Sequence, residues 1–65
     1  MKLTFVRNGT VTVSNQDEEA VNENVLVGDE WELPLLADRG RFLDLLDTDG
    51  SVVTVNKTDI RVDEL

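Results

Sequence analysis

The chain has no cysteine, no histidine and no tyrosine, and it carries a single proline. Without cysteine there are no disulfide staples, no thiolate metal sites and no thiol redox chemistry. Without histidine as well, imidazole bases and nucleophilic triads are excluded. No apolar run approaches the roughly 20 residues that span a bilayer. The stretch from Met1 to Arg7 has no signal-peptide core, because Asn8-Gly9 interrupts it. A cytoplasmic protein with no membrane partner is expected, and the lack of cysteine fits a reducing compartment. Basic residues are scarce too: six Lys and Arg stand against fourteen Asp and Glu, for a net charge of −8. That balance opposes direct binding to nucleic acid or to anionic membranes, both of which need a basic face.

What is present is enough for one small domain spanning residues 1–65. A domain of this size buries only about 60% of its unfolded surface, so its core has little surplus. The core must come from ten Val, nine Leu, two Phe, one Trp and one Ile. The acidity has three readings: a halophilic surface, a partner with a basic patch, or ordinary solubilising charge.

Strand-like patterns run through the chain. Lys2 to Arg7 and Thr10 to Ser14 alternate and are separated by Asn8-Gly9. That dipeptide suits a type I′ turn and predicts a hairpin with Val6 opposite Val11 and Phe5 opposite Thr12. Either Leu3 and Phe5 or the valines Val6, Val11 and Val13 would then face the core. Asn15 to Asn24 is polar and acidic, and predicts a loop. Gly28-Asp29 signals a turn, after which Glu30-Trp31-Glu32-Leu33 alternates carboxylates with apolar groups. Pro34 places that strand at an edge or bends it. Ala37 to Gly40 reads as a turn into the strand Arg41 to Asp47.

For the next hairpin, a two-residue Asp49-Gly50 turn would set Asp44 against Val55. A three-residue loop, Thr48-Asp49-Gly50, instead pairs Leu46 with Val52, Leu45 with Val53, Asp44 with Thr54 and Leu43 with Val55. It matches like with like, and is the expected register. Asn56 to Asp59 suits a 3₁₀ turn, Ile60 to Val62 a closing strand, and Asp63 to Leu65 a frayed end.

The stretch from Val27-Gly28-Asp29 through Asp49-Gly50 to Lys57-Thr58-Asp59-Ile60-Arg61-Val62 resembles SH3-like barrels in the order of its elements. The resemblance implies one curled barrel with loops and edge strands free for partners. It does not bring the polyproline groove, which is lined by Tyr and paired Trp, nor the basic loop of nucleic-acid-binding relatives. The expected fold is therefore all-β: a small SH3-like barrel, or two packed hairpins, with five to six short antiparallel strands and one 3₁₀ turn.

Chemistry-bearing motifs are few. Asp44, Asp47 and Asp49 before Gly50 invite comparison with a calcium loop, but Leu45 falls where that loop needs an oxygen ligand and Asn56 where it needs a bidentate Glu. Carboxylates abound, yet acid–base work needs one desolvated in a pocket, and a small barrel filled by its own side chains offers none. No cofactor, metal or enzyme activity is expected. On the chosen register Leu43, Leu45, Val53 and Val55 form the core face, while Phe42, Leu46 and Val52 point the other way. Exposed apolar groups on a barrel exterior imply a cover: the acidic loop, a second copy of the chain, or another protein.

The expected function is a non-enzymatic protein–protein interaction module, a small adaptor or inhibitor that docks a basic or apolar patch on a larger protein. Asp17, Glu18, Glu19, Glu23, Glu30 and Glu32 would steer association, and Phe42, Leu46 and Val52 would anchor it. Mimicry of nucleic-acid charge by a virus-encoded inhibitor is a special form. The alternatives are a self-associating subunit, such as a homodimer, whose acidity is halophilic, and an SH3-like nucleic-acid-binding domain, which the charge disfavours.

Overall fold

The computed structural model describes residues 1–15 and 17–65, with every side chain among them except that of Glu18. The strands are β1 (Lys2–Phe5), β2 (Gly9–Asn15), β3 (Glu18–Val25), β4 (Glu30–Glu32), β5 (Leu35–Asp38), β6 (Phe42–Leu46), β7 (Val52–Asn56) and β8 (Ile60–Glu64). A 3₁₀ turn at Lys57–Asp59 precedes the last strand. Two antiparallel sheets result, one ordered β4-β1-β8 and the other β3-β2-β7-β6-β5. The all-β class is as expected, but the described residues form eight strands rather than five to six. The extra ones come from the acidic segment, which is a strand, and from Pro34, which divides one expected strand into β4 and β5.

Pro34 acts as a switch between the sheets. Leu33 N–H still donates to Met1 C=O at 2.9 Å, alongside β1. Proline then has no N–H to continue that ladder, and its carbonyl accepts from Leu46 N–H at 2.9 Å in the other sheet. Both consequences expected of Pro34 occur together, since β4 and β5 each lie at a sheet edge.

The β6–β7 hairpin has the expected register, with Leu43 opposite Val55, Asp44 opposite Thr54, Leu45 opposite Val53 and Leu46 opposite Val52. Gly50 has φ of 89°, the left-handed conformation the three-residue loop requires. Asp47 N–H donates to Ser51 C=O at 2.8 Å, and the Asp49 carboxylate accepts from Ser51 N–H at 2.9 Å. The 3₁₀ turn is capped by Asn56, whose Oδ1 accepts from the Thr58 N–H and hydroxyl at 3.0 and 2.9 Å. The closing strand runs further than expected: Asp63 and Glu64 belong to β8, and Asp63 accepts from Thr4 and Arg61.

Two expectations fail. Asn8-Gly9 does not form a hairpin turn, because β1 and β2 lie in different sheets. Neither residue has a positive φ. Asn8 instead uses Oδ1 to accept Val27 N–H at 2.8 Å, tying the β3–β4 turn to the start of β2. The acidic segment is not a loop. It forms β3 and pairs with β2 from Gly9 opposite Val25 to Asn15 opposite Glu18.

The core sits between the sheets. Leu3 and Phe5 from the first sheet meet Val11, Val25, Leu43, Leu45, Val53 and Val55 from the second, all buried. Met1, Val13, Trp31, Leu33 and Ile60 are partly buried against them. The rings of Phe5 and Trp31 meet edge to face, with centroids 4.8 Å apart and planes at 76°, a favoured aromatic geometry. Either-or choices between Leu3 with Phe5 and the valines therefore dissolve: Leu3, Phe5 and Val11 are all inside, and Val6 is exposed. Among the described residues, no helix is long and apolar enough to cross a membrane.

Candidate functional site

The two sheets do not close along the β4 edge. There the surface opens into a cleft of about 380 Å³. Its floor is apolar: Val13 from β2, Val53 from β7, Trp31 from β4 and Leu33 beyond it. Glu23, Glu30, Glu32 and Asp47 also line it, with no Lys or Arg among the lining residues. Strand periodicity explains the mixture. Trp31 pairs with Leu3 and points inward, so Glu30 and Glu32 on either side lie opposite Thr4 and Lys2 on the other face, at the rim. Glu23 lies opposite Val11, on the inward face of β3. The expectation that so small a domain has no cavity is corrected: its interior is filled, but its edge is not.

The ion pairs lie elsewhere. Among the described residues they join Arg7 with Asp59, Arg39 with Asp44, Lys57 with Asp38, and Arg61 with Asp63. These links account for four of the six basic side chains. The carboxyls held below their ordinary pKa are also outside the cleft. Asp38 is lowered by the hydrogen bond from Lys57, Asp49 by that from Ser51 N–H, and Asp63 by those from Thr4 and Arg61. The Asp63 hydrogen bond in turn raises the Arg61 guanidinium. An aromatic and aliphatic floor beside carboxylates that form no ion pair among the described residues suits an amphipathic cation, whose stem is apolar and whose head is charged.

The residues singled out from sequence are dispersed. Glu23, Glu30 and Glu32 meet at the cleft. Asp17, in the β2–β3 connection, and Glu19, on β3, are exposed and do not line it. The Glu18 side chain lies outside the described residues. On the outward side of the larger sheet, Leu46 and Val52 are opposite one another and half-buried. Phe42, 41% exposed, stands opposite Asn56, separated from that pair by Asp44 and Thr54. The intervening row is polar: the Thr54 hydroxyl donates to Asp44 at 2.7 Å, and Arg39 donates to the same carboxylate at 3.1 Å. The acidic segment does not cover these groups, because it is a strand at the opposite edge of the sheet from β5.

Sequence reasoning missed Val13, Leu33 and Asp47 as parts of a site, and treated Trp31 only as core. The one available signal was Pro34, which marks the place where the chain leaves one sheet for the other and leaves β4 with a free side. Against known proteins, the chain matches no family model, no curated protein and no solved structure.

Proposed function

We propose that the protein is a non-enzymatic interaction module that docks a basic or apolar surface of a larger protein. The observation that carries this reading is the β4 cleft, an apolar floor beside four acidic residues in a chain of net charge −8. Charge of one sign on such a surface speeds encounter with a basic partner, and the apolar floor supplies the contact that holds it. An SH3-like architecture is part of the same reading. In its support, β5, β6 and β7 form a meander, a 3₁₀ turn leads to β8, β8 pairs with β1, and the Pro34 bend feeds both sheets.

A salt series tests the reading. The Debye length falls from about 30 Å at 0.01 M to about 3 Å at 1 M, so a charge-steered partner captured in dilute buffer is released at high salt. The melting temperature should rise modestly and level off by a few tenths molar KCl, as screening of self-repulsion saturates. A melting temperature that climbs throughout molar KCl, with no salt-labile partner, would defeat this proposal. It would favour a self-associating subunit with a halophilic surface.

A further inference from the structure

Among the described residues, strand β4 pairs with β1 and with no other strand. In an antiparallel pair, residues whose N–H and C=O face the partner alternate with residues whose groups point the other way. Phe5 N–H donates to Asp29 C=O at 2.8 Å, and Leu33 N–H to Met1 C=O at 2.9 Å. Asp29 and Leu33 thus face β1, as does Trp31 midway between them. The N–H and C=O groups of Glu30 and Glu32 are directed away from β1. The cleft is on that side, and the unbroken run Glu30, Trp31, Glu32, Leu33 lines it. Among the described residues, no backbone group bonds Glu30 or Glu32 there.

We infer that the cleft accepts an extended, basic segment of another protein as an added strand along β4. This inference rests on the interaction-module reading and specifies the partner. Three features of the cleft each favour that occupant. Free N–H and C=O groups of Glu30 and Glu32 offer the ladder that strand addition uses. Alternate side chains of an added strand point to one face, where Val13, Leu33 and Val53 form an apolar floor. The carboxylates of Glu30 and Glu32, on the other face, complement arginine or lysine at the remaining positions. A second copy of this chain fits poorly, because each carries a net charge of −8 and like charges brought together oppose association.

The test is titration of isotope-labelled protein with a short blocked peptide that alternates arginine and valine. Fluorescence of Trp31, the only tryptophan, is a second readout. Binding should be saturable and should perturb the amides of residues 30–33, Val13 and Val53. It should slow exchange of the Glu30 and Glu32 amides, which acquire strand partners. Replacing the peptide's arginines by neutral citrulline, or N-methylating its ladder-side amides, should weaken binding by about tenfold or more. The E30Q/E32Q variant should weaken it by about tenfold while melting like the parent. Equal binding by the N-methylated peptide overturns the added strand. So does a map of shifts on another face, such as that of Phe42 and Leu46, although the interaction-module reading then stands. Failure of the peptide to bind, beside capture of a salt-labile partner, also removes only the cleft assignment. Failure of both removes the module reading as well.

Discussion

The segment Lys2–Asn15 and the segment Phe42–Asn56 look alike in sequence: two alternating runs joined through an Asx-Gly dipeptide. Only the second is a hairpin. In it, the loop and the apolar pattern demand the same register. Gly50 supplies the positive φ, and the four inward residues Leu43, Leu45, Val53 and Val55 are all buried. In the first, the two demands conflict. A hairpin through Asn8-Gly9 would place Phe5 opposite Thr12 on one face and Val6 opposite Val11 on the other, so no single face would hold all the apolar groups. The chain resolves this by sending β1 and β2 to different sheets, where Phe5 and Val11 both reach the core. A turn dipeptide therefore forms its turn only where the flanking strands also agree about which face is inside.

The largest effects should test the shared core, to which both segments contribute. Phe5→Ala should cost about 3–5 kcal/mol and Leu45→Ala about 2–5 kcal/mol. Each is a large part of the total stability of a chain this short, roughly 3–10 kcal/mol. Urea titration measures both. A small loss for Phe5→Ala would mean that β1 is not packed against the second sheet.

The glycines separate the two segments more sharply. Gly50→Ala should cost about 1–2 kcal/mol, because a Cβ is strained at positive φ although nothing lies within 4 Å of it. At Gly9 the reason is different. Its φ is ordinary, but a Cβ there would come within 2.9 Å of Asp59 Oδ2. Gly9→Ala should therefore be the milder change, and Asp59→Ala should relieve it in a double-mutant cycle. Equal costs for the two glycines, unrelieved at Asp59, would restore the Asn8-Gly9 turn.

Acid titration should give a smaller effect. Asp38, Asp49 and Asp63 hold their protons less tightly in the folded chain than the ordinary value of 3.8 implies. As pH falls, the unfolded chain takes up these protons first, so the stability they contribute is present above the ordinary value and lost as pH drops through the folded values. Relief of self-repulsion acts oppositely as net charge approaches zero near the isoelectric point of 4.1. The melting temperature should hold or rise from neutral pH and then decline below about pH 4. These groups are exposed, so the decline should be gentle. A melting temperature that continues to rise in stronger acid would show that their hydrogen bonds contribute nothing.

Val6 should give the smallest effect. It is 43% exposed, so Val6→Ser should change stability by no more than about 0.5 kcal/mol. The rejected hairpin would place it against Val11, which is buried, and a core-sized loss would revive that pairing.

The all-β class, the β6–β7 register, the 3₁₀ turn and half of the core are legible in the residues alone, because each depends on neighbours within about a dozen positions. Gly50, Asn56 and the alternation of Leu43, Leu45, Val53 and Val55 speak for themselves. Strand β3 was illegible for a physical reason. As an edge strand it shows Val21 and Glu23, both exposed, on the same face as the buried Val25, so its alternation carries little hydrophobic contrast. That β1 and β2 part company emerges only in the folded chain, since it depends on which distant strands compete for their edges. The cleft likewise arises only there. The floor joins Val13, Trp31 and Val53 from three strands in two sheets, and no local pattern encodes where two sheets fail to meet.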